Sequence, residues 1–188
     1  RAYDVAVPLW SDAASKRRWV VVPGLETIRL DAKTNAFVFP VGTVFVKEFA
    51  FGKRKLETRL FLRNQEGWVG YTYVWNATRT DATLIDERTE VVIDQKKKWT
   101  FPGRADCMSC HTNAASFVLG FKPRQLGRQL DAFVKAGYFQ TPPASVEAFK
   151  PSDARAYLDA NCSNCHRPSG PGNAPIDLRF ETPLEKTK

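Results

Sequence analysis

Up to about Pro102 the chain alternates short apolar runs with turn-forming residues. WVVVP, NAFVFPVGTVFVKEFAF, KLETRLFLR, WVGYTYVWN, ATLI and TEVVIDQ are rich in Val, Phe, Tyr, Trp and Thr, and Gly, Pro, Asn and Asp break them apart. Branched and aromatic side chains suit a pleated, half-buried surface, so the spacing predicts short strands in a small sandwich or barrel. Alternation is explicit from Lys55 to Arg63, where Leu56, Thr58, Leu60 and Leu62 share one face and Glu57, Arg59 and Phe61 the other. A period of two over that length means a strand with one face against a core. Tyr71, Tyr73 and Trp75 also share a face, which predicts cross-strand packing rather than a ligand platform.

After Pro102 the period changes. In FKPRQLGRQLDAFVKAGYF, Leu126, Leu130, Phe133 and Val134 recur at helical spacings, with Pro123 near the start and Gly137 as the stop. PSDARAYLDANC predicts a second helix with Ser152 as N-cap; Arg155 stands at the capping-box position without the acid a full box needs. Residues 140–150 read as a linker. The final stretch, RPSGPGNAPIDLRFETPLEKTK, is irregular and too short after His166 for a full helical domain.

With 188 residues, 43% of them hydrophobic, the chain can bury a core without disulfide staples. Twenty-eight Lys and Arg against twenty Asp and Glu leave a formal charge of +8, which favours encounter with anionic partners. KKKW from Lys96 and RNQEGW from Arg63 mix basic and aromatic residues. Without zinc-finger spacing, an RNP-like strand or a basic helix, these runs read as solvated faces and no nucleic-acid partner is expected. No run approaches the ~18 apolar residues of a membrane helix, so no membrane span is expected. The opening RAYDVAVPLW lacks an initiating Met and the sections of a signal peptide, and reads as a mature or trimmed segment.

The chemistry is concentrated in two places. DCMSCHT from Asp106 and NCSNCHR from Asn161 contain all four cysteines and both histidines. Cys-x-x-Cys-His is the haem c attachment pattern: two thiols form thioethers with the vinyl groups and the histidine binds iron. Cys107, Cys110 and His111, and Cys162, Cys165 and His166, therefore predict two covalently attached haem c groups. A single zinc site built from all four thiolates is sterically open to the same cysteines, but it gives no reason for a histidine after each pair. A thioredoxin-like pair would need a βαβ context that is absent.

A ligating histidine gives its other ring nitrogen to an acceptor, and for His166 a backbone carbonyl in GPGNAPI is expected to serve. His111 has no evident acceptor in sequence. Arg124, Arg128 and Arg167 are candidates to pair with haem propionates, although surface roles are their ordinary reading. Both histidines being proximal, the sixth iron ligand stays open. The only methionine, Met108, lies inside the first motif, and Lys122, Lys135 and Tyr138 are merely close in sequence. A lysine, tyrosine, asparagine or backbone amine, water, an empty position, Met108 on the neighbouring haem, or a methionine beyond Lys188 or on another chain are the choices; the last is favoured for the second haem. No distal histidine has an acid or arginine partner for peroxide chemistry, so electron transfer is favoured over catalysis. GxGxxG, P-loop, HExxH and GxSxG motifs are also absent.

With these residues in hand, the chain resembles a family of exported bacterial di-haem c proteins, found alone or fused to quinoprotein sugar dehydrogenase-like domains. The likeness runs through FPVGTVFVKEFAF, KLETRLFLR, GWVGYTYVWNATRTDATLI, CMSCHTNAASFVLGF, RQLGRQL and ARAYLDANCSNCHRPSGPGNAPIDLRFETPL. It implies a periplasmic or outer-surface electron-transfer module, and a continuation past LRFETPL with a methionine for the second iron. The expected fold is mixed: an N-terminal all-β sandwich or barrel-like domain (1–102), then a mostly α-helical cytochrome c-like region. That region comprises a first haem c segment (103–139), a linker (140–150) and a second haem c segment (151–188) whose last part is apparently truncated. Expected partners are a redox protein, an acidic one on charge grounds, and a homo-oligomer or multihaem assembly. A haem enzyme or dehydrogenase subunit with an open iron, or a structural subunit of a multihaem filament, are the alternatives. Thioether attachment is made on exported chains, which places the protein in the periplasm or at the outer surface.

Overall fold

A computed structural model describes residues 1–188 apart from Lys33, Asn35, Gln95, Lys96 and Lys188. The first residue of NAFVFP, the last of TEVVIDQ and the first of KKKW thus lie outside the described residues. In chain order the strands are β1 (Ala2–Tyr3), β2 (Ser15–Val21), β3 (Arg29–Leu30), β4 (Phe37–Val38), β5 (Val44–Phe51), β6 (Arg54–Arg63), β7 (Trp68–Trp75), β8 (Ala82–Ile85), β9 (Thr89–Asp94) and β10 (Lys97–Phe101). One six-stranded sheet has the order β1-β2-β5-β6-β7-β8, and β3-β4 and β9-β10 form separate two-stranded pairs.

The strand stretches fold locally for identifiable reasons. Gly52, at φ 56°, turns β5 into β6. The Asn64 side chain accepts from the backbone N–H of Glu66 (3.0 Å) and Gly67 (2.8 Å), shaping the β6-β7 turn. A register shift between Phe49 and Ala50 lets Leu56 join Phe49, Ala14, Trp99 and Phe101 in one apolar cluster. Of the two faces of β6, the one carrying Glu57 and Phe61 is buried, while Leu60 and Leu62 are only half-buried. Glu57 tolerates full burial because Arg59 grips both its oxygens, at 2.6 and 3.0 Å, and the Trp99 Nε1–H donates to it at 3.2 Å. Of the three β7 aromatics, Trp75 makes a cross-strand contact, its Nε1–H donating to Thr58 Oγ1 at 3.0 Å, while Tyr71 lies under Arg104.

Two expectations are corrected. The strand-rich part is a single large antiparallel-paired sheet with small hairpins, not a sandwich or barrel. Nor is a mostly α-helical cytochrome c-like region formed: the described helices are α1 (Arg104–Cys110), α2 (Pro123–Leu126), α3 (Gln129–Lys135) and α4 (Ala154–Asn161), none longer than eight residues, plus a 3-10 turn at Leu184–Lys186. Proline and glycine set this limit. Pro123 starts α2 as expected, but Gly127, at φ 52°, cuts the helix anticipated through 121–139 into two. Gly137, at φ 75°, does follow its end. Asp153, not Ser152, caps α4, accepting from the Arg155 N–H at 2.8 Å. No helix among the described residues is long and apolar enough to cross a membrane.

The chain forms two compact units, each built from separate stretches. The first takes Arg1–Ala2, Ser11–Pro23 and Val41–Ser109, and its core is the buried sheet face just described. The second takes Tyr3–Trp10, Gly24–Pro40 and Cys110–Lys188. Aromatic edges hold it together in place of long helices: Phe121 meets Phe133 at 5.2 Å, Phe37 at 6.0 Å and Tyr3 at 5.0 Å. A second cluster joins Val7, Phe149 and Ala156 with Phe180. Its leading segment is stitched in by Gln125, whose amide both donates to the Val7 carbonyl and accepts from the Val7 N–H at 2.9 Å. Asn161 accepts from the Trp10 N–H at 2.7 Å.

Candidate functional site

The first motif lies on α1 and the loop after it. Gly103 precedes the helix in a place where a Cβ would come within 2.6 Å of the Asp86 carbonyl, so the chain passes too close for any side chain. Asp106, in the first turn, accepts from the Gly103 N–H at 2.9 Å and takes both nitrogens of the Arg88 guanidinium at 2.7 and 3.1 Å. That arginine holds its carboxyl below the usual range, and the negative charge suits a helix N-terminus. Cys107 lies against Gly70 of β7, where a Cβ would stand 2.5 Å from its sulfur. Burial pushes the Cys107 thiol up, with Asp106 and Glu57 adding to the shift and Arg59 opposing it, so the sulfur stays protonated at neutral pH. Cys110, three residues on and one turn along α1, is exposed.

His111 is positioned by backbone strain downstream. Ser116 and Phe117 both adopt left-handed conformations, φ 56° and 61°, which non-glycine residues rarely do. The Phe117 N–H donates to the Thr112 carbonyl at 2.9 Å, and the tight loop aims the Phe117 carbonyl at His111 Nδ1, 2.6 Å away. A carbonyl only accepts, so Nδ1 carries a proton, and in the neutral ring the lone pair is then on Nε2. That is the tautomer a metal-ligating imidazole needs, supplied by the acceptor that sequence reasoning could not find. Phe117 acts through its backbone, which no side-chain pattern advertises.

The second motif starts at the end of α4. Cys162 follows the last helical turn, and the Cys165 and His166 N–H groups donate to its carbonyl at 3.1 and 2.9 Å. The chain then folds back closely: Gly172 donates to the Cys165 carbonyl at 3.1 Å, and a Cβ on Gly172 would stand 2.8 Å from His166 Nδ1. The expected carbonyl acceptor from GPGNAPI is not engaged; His166 Nδ1 is buried with no hydrogen-bond partner. Beneath the motif, Asp159 is 1% exposed, paired with Lys122, and accepts from the Phe180 N–H at 3.1 Å. Ser163, also buried, donates to the Asp159 carbonyl at 2.7 Å. Arg167 donates to the carbonyls of Ser163 and, at 3.0 Å, of Ala114, so it ties this motif to the loop that carries His111.

Those bonds also engage three of the sequence candidates around the sites, Arg167, Arg124 and Lys122. Arg167 is spent on backbone carbonyls, and Arg124 on Glu181 and the Glu147 carbonyl. Arg128 is exposed. Lys122 is committed to Asp159 and Tyr138 packs on Phe133 at 5.0 Å, while Lys135 is exposed.

The metal-binding expectation is corrected as far as protein side chains go. Among the described residues no group of three or more His, Cys, Asp and Glu could hold a metal ion, so a zinc site of four thiolates is not assembled, and no cytochrome-like helical frame surrounds either motif. The four cysteines are in the thiol form. For a porphyrin the first motif fits through its thiol spacing and histidine tautomer; the second fits through its thiols and close glycine turn, but its histidine lacks the orienting acceptor. No family model, curated protein or solved structure matches the chain.

Proposed function

We propose that the protein is an exported electron carrier with two covalently attached haem groups. Cys107 and Cys110 would hold the first and Cys162 and Cys165 the second, with His111 and His166 toward the iron. The observation that carries this reading is the His111 tautomer, set by the Phe117 carbonyl in a motif that shares all of the chain's cysteines and histidines with its twin. When bound, haem supplies reversible one-electron exchange.

The chain's own residues do the rest. Phe117 keeps a proton on His111 Nδ1, which puts the lone pair of the neutral ring on Nε2. Burial keeps Cys107 a thiol, slow to oxidise before attachment. Arg167 ties the second motif to the loop after His111 through the Ala114 carbonyl. The basic surface charge suits an acidic redox partner, which it would steer into encounter at low salt. The chemistry of attachment places the protein outside the cytoplasm, in the periplasm or at the outer surface.

The test is the intact mass and absorption spectrum of protein made in an exporting, haem-attaching host. A gain of two haem masses with a Soret band is expected, and one haem should survive in Cys162→Ala. A mass equal to the bare polypeptide sinks the reading.

A further inference from the structure

The buried face of the main sheet carries an arrangement that structural stability alone does not explain. Register places Arg18 of β2 opposite Lys47 of β5, Lys47 opposite Arg59 of β6, and Arg59 opposite Thr72 of β7. Residues directly opposite share a face, so three cations and a hydroxyl stand in one row across four strands. Like charges so placed repel, and burial raises the cost. Arg18 is 7% exposed and Thr72 1%. The Arg59 guanidinium and the Lys47 and Lys16 ammoniums lie 4.5, 4.9 and 6.0 Å from the centre of the Phe49 ring, so all three cluster about one side chain. Burial first, then Arg18, Arg59 and Lys16, push Lys47 down to about 7, against the single opposing pull of Glu57. Glu57 itself is already gripped by Arg59 and Trp99.

A second observation points to an absent acceptor. Thr72 Oγ1 is buried in this row without a hydrogen-bond partner. A hydroxyl beside clustered cations is the donor set that an oxyanion satisfies. On the same sheet face, Gly70 of β7 is two residues from Thr72 and adjoins the Cys107 sulfur, and Arg59 is close enough to pull the Cys107 thiol down.

We propose that Arg18, Lys47, Arg59 and Thr72 form an oxyanion site that takes a carboxylate, and that the carboxylate is a propionate of the porphyrin held at Cys107. The choice of source rests on the proposed haem; the oxyanion site does not. A small free oxyanion such as phosphate has the same chemistry and would occupy the row if no porphyrin did.

The test uses the full-length protein from an exporting host, with haem counted by mass and Lys47 followed by side-chain NMR, its signal assigned through Lys47→Met. If a propionate fills the site, Lys47 titrates well above 7 without added anion, and Cys107→Ala brings the midpoint back toward 7. If a free oxyanion fills it, the midpoint lies near 7 in phosphate-free buffer and inorganic phosphate raises it by about one unit, tenfold in proton affinity. Thr72→Val, which keeps the side-chain shape, should weaken phosphate binding by about threefold. A midpoint near 7 that phosphate does not move overturns the site, as does a haem-free protein whose Lys47 is indifferent to phosphate. A high midpoint unchanged by Cys107→Ala overturns the propionate assignment. Because haem is counted separately, a chain without haem defeats the proposed function while the phosphate arm still decides this one.

Discussion

At His111 the Nδ1 nitrogen sits 2.6 Å from the Phe117 carbonyl, whereas the same atom of His166 is buried with no partner. The two motifs have the same five-residue pattern but different supports. The first is held by a strained loop and by contact of Cys107 with the sheet; the second by an ion pair between buried Asp159 and partly exposed Lys122 under the helix end and a glycine that passes close to the ring. The difference shows that a Cys-x-x-Cys-His pattern specifies which atoms are available, while the flanking chain decides whether the imidazole is oriented beforehand. In the proposed reading the His111 ring is already oriented through Nδ1, and His166 must gain its orienting bond on loading.

The largest test of that contrast removes the support under the second motif. Asp159→Ala leaves Lys122 and the Phe180 N–H without their carboxylate, and should cost about 3 kcal/mol. Thermal melting should fall by about 8 °C, with amide exchange accelerated around Cys162 to His166 and not around His111 to Phe117. Equal acceleration in both would mean that the supports are shared. Close glycines come next. Gly70→Ala drives a methyl into Cys107, and Gly172→Ala drives one into His166, each at about 2 kcal/mol. Haem counting should show the first variant losing haem from the first motif alone and the second from the second alone.

A smaller effect addresses the histidines directly. In protein without haem, His111→Phe should cost about 1 kcal/mol, because the Phe117 carbonyl loses its donor. His166→Phe should stay within about 0.5 kcal/mol, since it removes a nitrogen that bonds to nothing. Denaturant midpoints of the two variants measure the gap, and equal costs would erase the asymmetry.

The smallest effect is a pH dependence in the second region. The Arg179 side chain, hydrogen-bonded to Asp177, holds that carboxyl down to about 2 from 3.8. A depressed carboxylate contributes stability that is complete above the unfolded pKa and is lost as pH falls through the folded one, so the loss runs from about pH 4 to pH 2. Arg179 is partly exposed and solvent screens the pair, so the contribution is below about 1 kcal/mol. Urea melts of Asp177→Asn should therefore show a shallower decline than wild type over that interval.

How far the chain could be read before its structure was known differs from residue to residue. Strand alternation from Lys55 to Arg63 was plain, because a period of two is written in adjacent side chains. Which face was buried was not, because Glu57 becomes a core residue only when Arg59 and a tryptophan 42 positions away satisfy it. The helical spacing around Leu126 and Leu130 was real, yet Gly127 between them left too little regular backbone for a long helix. Gly70 inside a strand was a readable hint of close approach, borne by its contact with Cys107. Phe117 left no hint at all, since its contribution is a carbonyl. The row of Arg18, Lys47 and Arg59 becomes visible only when three strands are laid side by side in register.

The stitching of residues 3–10 into the second unit has a kinetic consequence. Val7 meets a partner 118 positions later, and Trp10 one 151 positions later. These residues are made before the segments they dock on, and wait for Gln125 and Asn161 before they can settle. Closing so long a loop is slow rather than prohibitively costly, because its entropy grows only with the logarithm of length. Trp10 docks on Asn161, the residue before Cys162, so that slow closure falls beside the second motif.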